Sequence, residues 1–252
     1  MDLHLSGKTA LITGASTSGC GRAIAMALAR EGVTVAIAAR RIDALKQLAL
    51  DIKAESGITA VPLAADLYDA DTPARLAAQA RAALGRVDIL VNAAGGRREV
   101  PLDAPRAKWD EGMQLNFYAA RDLAHALLPG MIENKWGRII TLTGTSEPLT
   151  LNVANPAKAA VHAWAKGLSR DVGKFGVNIH CVQPGRIMSE QIVAHDPAEE
   201  ARRKFAQENI PVGRFGNPEE LADLVTFLAS PRTNYMTGTV IPVDGGIKRY
   251  AH

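Results

Sequence analysis

The chain is 252 residues long, 47% hydrophobic and 22% charged, the profile of a water-soluble globular protein with room for one α/β core. Its formal net charge is only +3, from 29 basic and 26 acidic residues scattered along the sequence, which argues against a nucleic-acid or membrane-surface partner. Two cysteines, Cys20 and Cys181, give no disulfide framework, residues 1–8 hold no signal-peptide core, and no apolar run has the length of a membrane span, so a cytoplasmic location is expected.

From the N-terminus onward, short apolar runs alternate with Ala/Leu-rich helical patterns. Residues 9–13, 34–38, 60–62, 89–92, 138–142, 178–182 and 240–243 are predicted strands. They lack strict polar alternation, as strands covered by helices on both faces should. Residues 22–30, 42–55, 72–84, 121–133, 158–174 and 218–229 are predicted amphipathic helices. The last begins on Asn217-Pro218-Glu219-Glu220, a capping residue, a proline at the first helical position and acids in the first turn. The alternation predicts a doubly wound Rossmann α/β fold: a parallel sheet in three layers, forming a single domain over residues 1–252. Residues 187–212 carry no assigned element and stand where a substrate lid is expected.

The first strand runs into Thr13-Gly14-Ala15-Ser16-Thr17-Ser18-Gly19-Cys20-Gly21, and a helix follows. Glycines let the backbone approach a phosphate closely, and a helix N-terminus supplies amide donors and a positive dipole. Gly14 and Gly19 fit the first half of a nucleoside-triphosphate loop, but Cys20-Gly21 stands where Lys-Ser or Lys-Thr is required. What remains is a dinucleotide loop, or a plain strand-to-helix turn. A site for NAD places an acid at the end of the second strand. Here that position reads Ala38-Ala39-Arg40-Arg41, with no carboxylate before Asp43. Two guanidiniums favour a 2′-phosphate and hence NADP(H); the alternative is that they only solvate a loop.

With these features in place, the sequence resembles the short-chain dehydrogenase/reductase family over essentially its whole length. The glycine loop is similar to TGxxxGxG, with one residue more between the first two glycines. Asp66-Leu67 resembles the family's adenine-contacting acidic pair, and Asn92-Ala93-Ala94-Gly95 resembles its NNAG strand end. Asn116 matches the helix asparagine of its proton relay, Lys158 the lysine of YxxxK, and Pro184-Gly185, followed by Ile187, the loop that packs on the nicotinamide. The tail, from Pro211-Val212-Gly213-Arg214 through Val243-Asp244-Gly245-Gly246, is similar to the 3-oxoacyl-acyl-carrier-protein reductase branch. The resemblance implies contacts to NADP(H) from Gly14, Ser16, Thr17, Ser18, Gly19, Cys20, Gly21, Arg40, Arg41, Asp66, Leu67, Asn92, Ala93, Ala94, Gly95, Lys158, Pro184, Gly185 and Ile187. It also implies a homodimer or homotetramer, paired through helices at 106–132 and 158–174.

The catalytic centre departs from that pattern. Four residues before Lys158 stands Ala154 instead of tyrosine, and Gly144 falls where the family has serine. No tyrosine occurs between Tyr118 and Tyr235, and the segment from Gly144 to Lys158 is shorter than in the family. Lys158 is expected to bind ribose hydroxyls. Asn116 holds a water or satisfies a bent helix. Thr145 and Ser146 offer hydroxyls beside the vacant serine position, or are turn residues before Glu147-Pro148. His162, one helical turn past Lys158, is an acid near neutrality or a packing residue. A positioned general acid contributes about 10²–10⁴ in rate, so its loss slows hydride transfer without forbidding it. The expected function is an NADP(H)-dependent oxidoreductase for a small carbonyl or alcohol with atypical proton delivery. The alternatives are a catalytically silent NADP(H) sensor or oligomer partner, and a redox-neutral dehydratase or isomerase.

Overall fold

The computed structural model describes residues 1–96, 99–145, 147–148, 150–195 and 198–249. Seven strands, β1 (Thr9–Thr13), β2 (Thr34–Ala39), β3 (Val61–Ala64), β4 (Ile89–Asn92), β5 (Gly137–Leu142), β6 (Val177–Pro184) and β7 (Thr239–Val243), form one sheet in the order β3-β2-β1-β4-β5-β6-β7. Every neighbouring pair is parallel; Leu11, for example, is level with Ala36 on one side and Leu90 on the other. This is the doubly wound Rossmann architecture expected, and the order reverses between β1 and β4.

Nine α-helices are described: α1 (Cys20–Arg30), α2 (Ile42–Ser56), α3 (Thr72–Leu84), α4 (Arg106–Met113), α5 (Ala119–Glu133), α6 (Ala154–Val172), α7 (Glu190–His195), α8 (Glu199–Asn209) and α9 (Pro218–Ala229). Side chains alternate across β1 as the pleat dictates. Ala10 and Ile12 join the core under α1, α2 and α9, whereas Leu11 joins the one under α3, α5 and α6. All five residues of β1 and all six of β5 are buried, which is why both read as continuous apolar runs. At α9, Glu220 reaches back to accept the Asn217 backbone N–H at 2.7 Å, the reciprocal half of a capping box. No helix among the described residues is long and apolar enough to cross a membrane.

Several boundaries differ from the sequence expectation, three of them beside the site. The third strand lies at Val61–Ala64 rather than 60–62, because its pairing with Ala36 through Ala39 carries it to the sheet's C-terminal edge. The sixth helix begins at Ala154, four residues before Lys158, because the Asn152 side-chain carbonyl accepts the Asn155 N–H at 3.0 Å and starts it early. The helix expected at 121–133 is the last part of a longer run through α4 and a π-helical turn at Gln114–Tyr118. In that turn Asn116 Nδ2 donates to the Gly112 carbonyl at 2.9 Å, satisfying a group that the widened turn releases. Residues 187–212 contain α7 and α8 instead of an irregular loop.

Candidate active site

A cavity of about 880 Å³ opens at the C-terminal ends of β1, β2, β4, β5 and β6, above the point where strand order reverses. The glycine loop forms one wall. Gly14 has φ +73°, and a Cβ there would lie 2.7 Å from the Ala94 nitrogen and 2.8 Å from the Ala93 carbonyl carbon. A Cβ on Gly21 would lie 2.5 Å from the Gly14 carbonyl oxygen. The loop is therefore folded too tightly for any side chain at either position. The Thr13 hydroxyl fastens the opposite wall, accepting the Ala93 and Ala94 N–H groups at 3.2 and 3.1 Å. Helix α1 starts directly after Gly19, so its unpaired first-turn amides face a concave, side-chain-poor cradle lined by Gly19, Cys20 and Gly21. A cradle of this chemistry fits a dinucleotide pyrophosphate. Among the described residues no cluster of His, Cys, Asp or Glu could hold a metal ion.

Ser16, Thr17, Arg40, Arg41, Asp66, Leu67, Ala93, Ala94, Gly95, Lys158, Pro184, Gly185 and Ile187 also line this cavity. At the β2 end, the Arg40 guanidinium lies 5.7 Å from the centre of the Tyr68 ring. Arg41 donates to the Ser16 carbonyl and pairs with Glu190 at 3.0 Å. Asp66 is exposed and accepts the Tyr68 N–H at 3.2 Å. Asn92 does not line the cavity. It is buried beneath it, with Nδ2 donating to Thr141 Oγ1 at 3.3 Å and to the Ala120 carbonyl at 3.4 Å.

The other end holds Lys158. Its Nζ donates to the Thr143 carbonyl at 3.1 Å, and burial pulls its pKa down to about 8. A Cβ on Gly95 would sit 3.3 Å from that nitrogen, and a Cβ on Gly144 would sit 3.2 Å from the lysine Cδ. A side chain at position 144 would therefore crowd the Lys158 stem, which would have to give by a few tenths of an ångström. Asn116 uses its side chain on backbone: Oδ1 accepts the Gly96 N–H at 3.1 Å, and Nδ2 serves Gly112 and Gly96. Thr145 is exposed, does not line the cavity, and accepts the Glu147 N–H at 3.0 Å, the turn role rather than the catalytic one. Ser146 lies outside the described residues. His162 Nε2 meets Thr143 Oγ1 at 2.8 Å. The same hydroxyl lies 3.3 Å from the Val182 carbonyl. Burial, helped by the positive charges of Lys248 and Lys158, holds the His162 pKa below its ordinary value. Burial pushes the Cys20 thiol up to about 11, so it is no nucleophile at neutral pH.

Sequence reasoning missed Glu190 on α7. Its Oε1 accepts the Ser18 N–H at 3.1 Å, its Oε2 accepts Arg41 at 3.0 Å, and its own N–H donates to the Ser18 carbonyl at 3.2 Å. One carboxylate thus spans a glycine-loop amide and an arginine at the β2 end. The signal was hard to see, because these partners lie 172 and 149 positions away in the chain. Thr143 and Tyr68, which also line the cavity, were not singled out either.

The fold and site define a dinucleotide-binding α/β protein, and comparison with known proteins places it further. A family model described as enoyl-(acyl carrier protein) reductase matches residues 14–248. The 3-oxoacyl-[acyl-carrier-protein] reductase of Aquifex aeolicus is 33% identical over 252 residues, covering 98% of this chain and 100% of that protein. The 7alpha-hydroxysteroid dehydrogenase of Escherichia coli is 31% identical over 248 residues, 97% of this chain and 96% of that one. The crystal structure of L-sorbose reductase from Gluconobacter frateurii, complexed with NADPH and L-sorbose, superposes with a TM-score of 0.94 at 33% identity, covering 99% of this chain and 100% of that chain. The chain belongs to the short-chain dehydrogenase/reductase family, an oxidoreductase family.

Proposed function

We propose that the protein is an NADP(H)-dependent oxidoreductase that interconverts a small carbonyl compound and its alcohol, with proton delivery that does not use a tyrosine. The observation that carries this reading is the juxtaposition, in one cavity, of a side-chain-free cradle at Gly14, Gly19 and Gly21 with the buried ammonium of Lys158. When bound, the reduced nicotinamide supplies a hydride. The loop amides of residues 16, 17 and 19–21 take the pyrophosphate, while the Ser18 amide is held by Glu190; Arg40 and Arg41 take the 2′-phosphate, and Asp66-Leu67 border the adenine. Lys158 donates to ribose hydroxyls, while Ala93, Ala94, Gly95, Pro184, Gly185 and Ile187 wall the nicotinamide end. Asn92 and Asn116 support this arrangement from beneath, by fixing β4 to β5 and the Gly95-Gly96 turn to the π-helical turn. Residues 187–212 act as the lid over the substrate. NADPH bound in the sorbose reductase complex supports the coenzyme.

A second reading is favoured by Gly144 and Ala154: a catalytically silent NADP(H) binder that signals or assembles. Titration calorimetry with NADPH and NADH, followed by stopped-flow oxidation of NADPH against 3-oxoacyl thioesters, keto-sugars and oxosteroids, separates the two. NADPH binding with turnover of at least one carbonyl class is expected. Binding with no turnover in any class leaves the silent protein, and no binding removes both. Self-association through α4, α5 and α6 belongs to the same reading. Trp164 Nε1 and His125 Nε2 meet at 3.3 Å across the outer faces of α6 and α5, and sedimentation would show a dimer or tetramer.

A further inference from the structure

We propose that the Lys158 ammonium is itself the acid of this site, protonating the substrate oxygen directly in place of the absent tyrosine. The inference deepens the oxidoreductase reading and rests on it. Lys158 lines the cavity, and its one hydrogen bond among the described residues goes to the Thr143 carbonyl. An ammonium has three donors, so with one on the Thr143 carbonyl and one given to the coenzyme ribose, one remains for the substrate oxygen. Gly95, which lines the cavity beside Nζ, carries no side chain, and a Cβ there would lie 3.3 Å from Nζ.

The other titratable groups near the lysine do not compete. Cys20, on α1, keeps its proton up to about pH 11. His162, one turn along α6, has its Nε2 engaged with the Thr143 hydroxyl at 2.8 Å and does not line the cavity. Glu99, Arg186 and His195 line the cavity, with Glu99 and His195 exposed at its rim. Desolvation by burial holds Lys158 near 8. A lysine poised there is protonated at neutral pH yet gives its proton up readily, which suits a general acid.

The step balances. In reduction the carbonyl carbon accepts hydride from the reduced coenzyme, and the carbon–oxygen π pair moves onto oxygen. That oxygen takes a proton from Nζ, whose N–H pair stays on nitrogen as a neutral amine. Water entering the cavity reprotonates the amine, so the net change is one hydride and one proton added across the carbonyl. In oxidation the neutral amine removes the hydroxyl proton.

The test begins without coenzyme. In the full chain labelled with ¹³Cε-lysine, assigned through Lys158→Arg, the Lys158 resonance should titrate near pH 8, while exposed lysines titrate at about 10.4. A midpoint among the exposed lysines overturns the proposal. Next, Lys158→Arg keeps a cation but cannot lose a proton, so single-turnover reduction should fall about 10²–10⁴-fold while NADPH affinity changes by less than about tenfold. The wild-type rate of reduction should decline as pH rises through 8, and Glu99→Gln should leave that profile in place. If Lys158→Arg reduces its substrate at the wild-type rate, or if Glu99→Gln abolishes the pH profile, the lysine is not the acid although the oxidoreductase reading stands. If wild-type protein binds NADPH and reduces nothing, both fall together.

Discussion

Replacing Gly14 by Ala tests the cradle on which coenzyme binding depends, and Gly57→Ala supplies its internal reference. Both glycines have left-handed backbones, φ +73° and φ +74°. Each substitution therefore carries the same conformational penalty, about 1–2 kcal/mol. The surroundings differ. A Cβ at position 57 meets nothing within 4 Å, whereas at position 14 it lies 2.7–2.8 Å from three backbone atoms of Ala93 and Ala94. Backbone cannot swing aside as a side chain can, so Gly14→Ala adds overpacking of about 1–3 kcal/mol. For a chain of this size each kcal/mol lowers Tm by about 2–4 °C, so Gly14→Ala should melt several degrees below Gly57→Ala. Calorimetric melting of both variants, with NADPH titrations on each, reads the difference. NADPH binding should be lost or sharply weakened only in Gly14→Ala. Equal melting temperatures and equal affinities would refute the argument that this loop is closed against the end of β4.

Three further outcomes follow from the same geometry. Arg40→Ala should weaken NADPH binding by about tenfold or more while leaving NADH nearly unchanged, since one charge-assisted phosphate contact is lost; equal losses by calorimetry would remove the 2′-phosphate assignment. Glu190→Ala should free the Ser18 amide and Arg41, tightening NADPH binding severalfold, in keeping with an exposed pair worth about 0.2–1 kcal/mol. It should also speed proteolysis within residues 187–212 of the coenzyme-free protein, and weaker NADPH binding would contradict this. His180 is fully buried, donates or accepts through Nδ1 at Thr239 Oγ1 (2.8 Å), and burial lowers its pKa from 6.5 to about 4. Above pH 6.5 it is neutral whether the chain is folded or not, so it adds no pH dependence there. Between pH 6.5 and about 4 the unfolded chain gains a proton that the folded one refuses, and stability falls by about 3 kcal/mol across that window. Urea melts at several pH values should show this slope in wild type and a flatter one in His180→Gln; matching slopes would count against the assignment.

The fold was legible where a residue's own neighbours in sequence decide its structure. Ile89–Asn92 and Thr72–Leu84 match the structure at both ends, the strand because it is buried on both faces, the helix because Pro73 and Gly85 bracket it. Helix α4 was not legible: in Arg-Ala-Lys-Trp-Asp-Glu-Gly-Met only Gly112 is buried, so there is no apolar stripe to read. Helices α7 and α8 were hidden for the same reason, with Ala206 the one buried residue in α8 and none described in α7. The site divides along the same line. Gly14 and Gly21 were visible because backbone crowding admits no other residue. Thr13, Tyr68, Thr143 and Glu190 were not, because their roles come from partners brought in by other strands and helices. Asn116 was visible by motif, but its employment on Gly96 and Gly112 depends on a π-helical turn that no local pattern announces.

Gly144 and Ala154, which stand where the resemblance leads one to expect serine and tyrosine, both bear on Lys158. In a shortened segment Asn152 starts α6 at Ala154, whose side chain is buried and does not line the cavity. The same helix sends the Lys158 stem across the space beside Gly144, where a side chain would meet Cδ at 3.2 Å. Thr143 is then held from three sides: its carbonyl by Lys158, its hydroxyl by His162, and its N–H by the Val182 carbonyl at 2.8 Å. The Gly144 carbonyl is taken by Gln183 Nε2 at 2.6 Å. A serine Cβ at position 144 asks the Lys158 stem to shift by a few tenths of an ångström, and a side chain larger than alanine at 154 adds bulk to a buried helix start, so the lysine, the glycine and the alanine are best varied as a set.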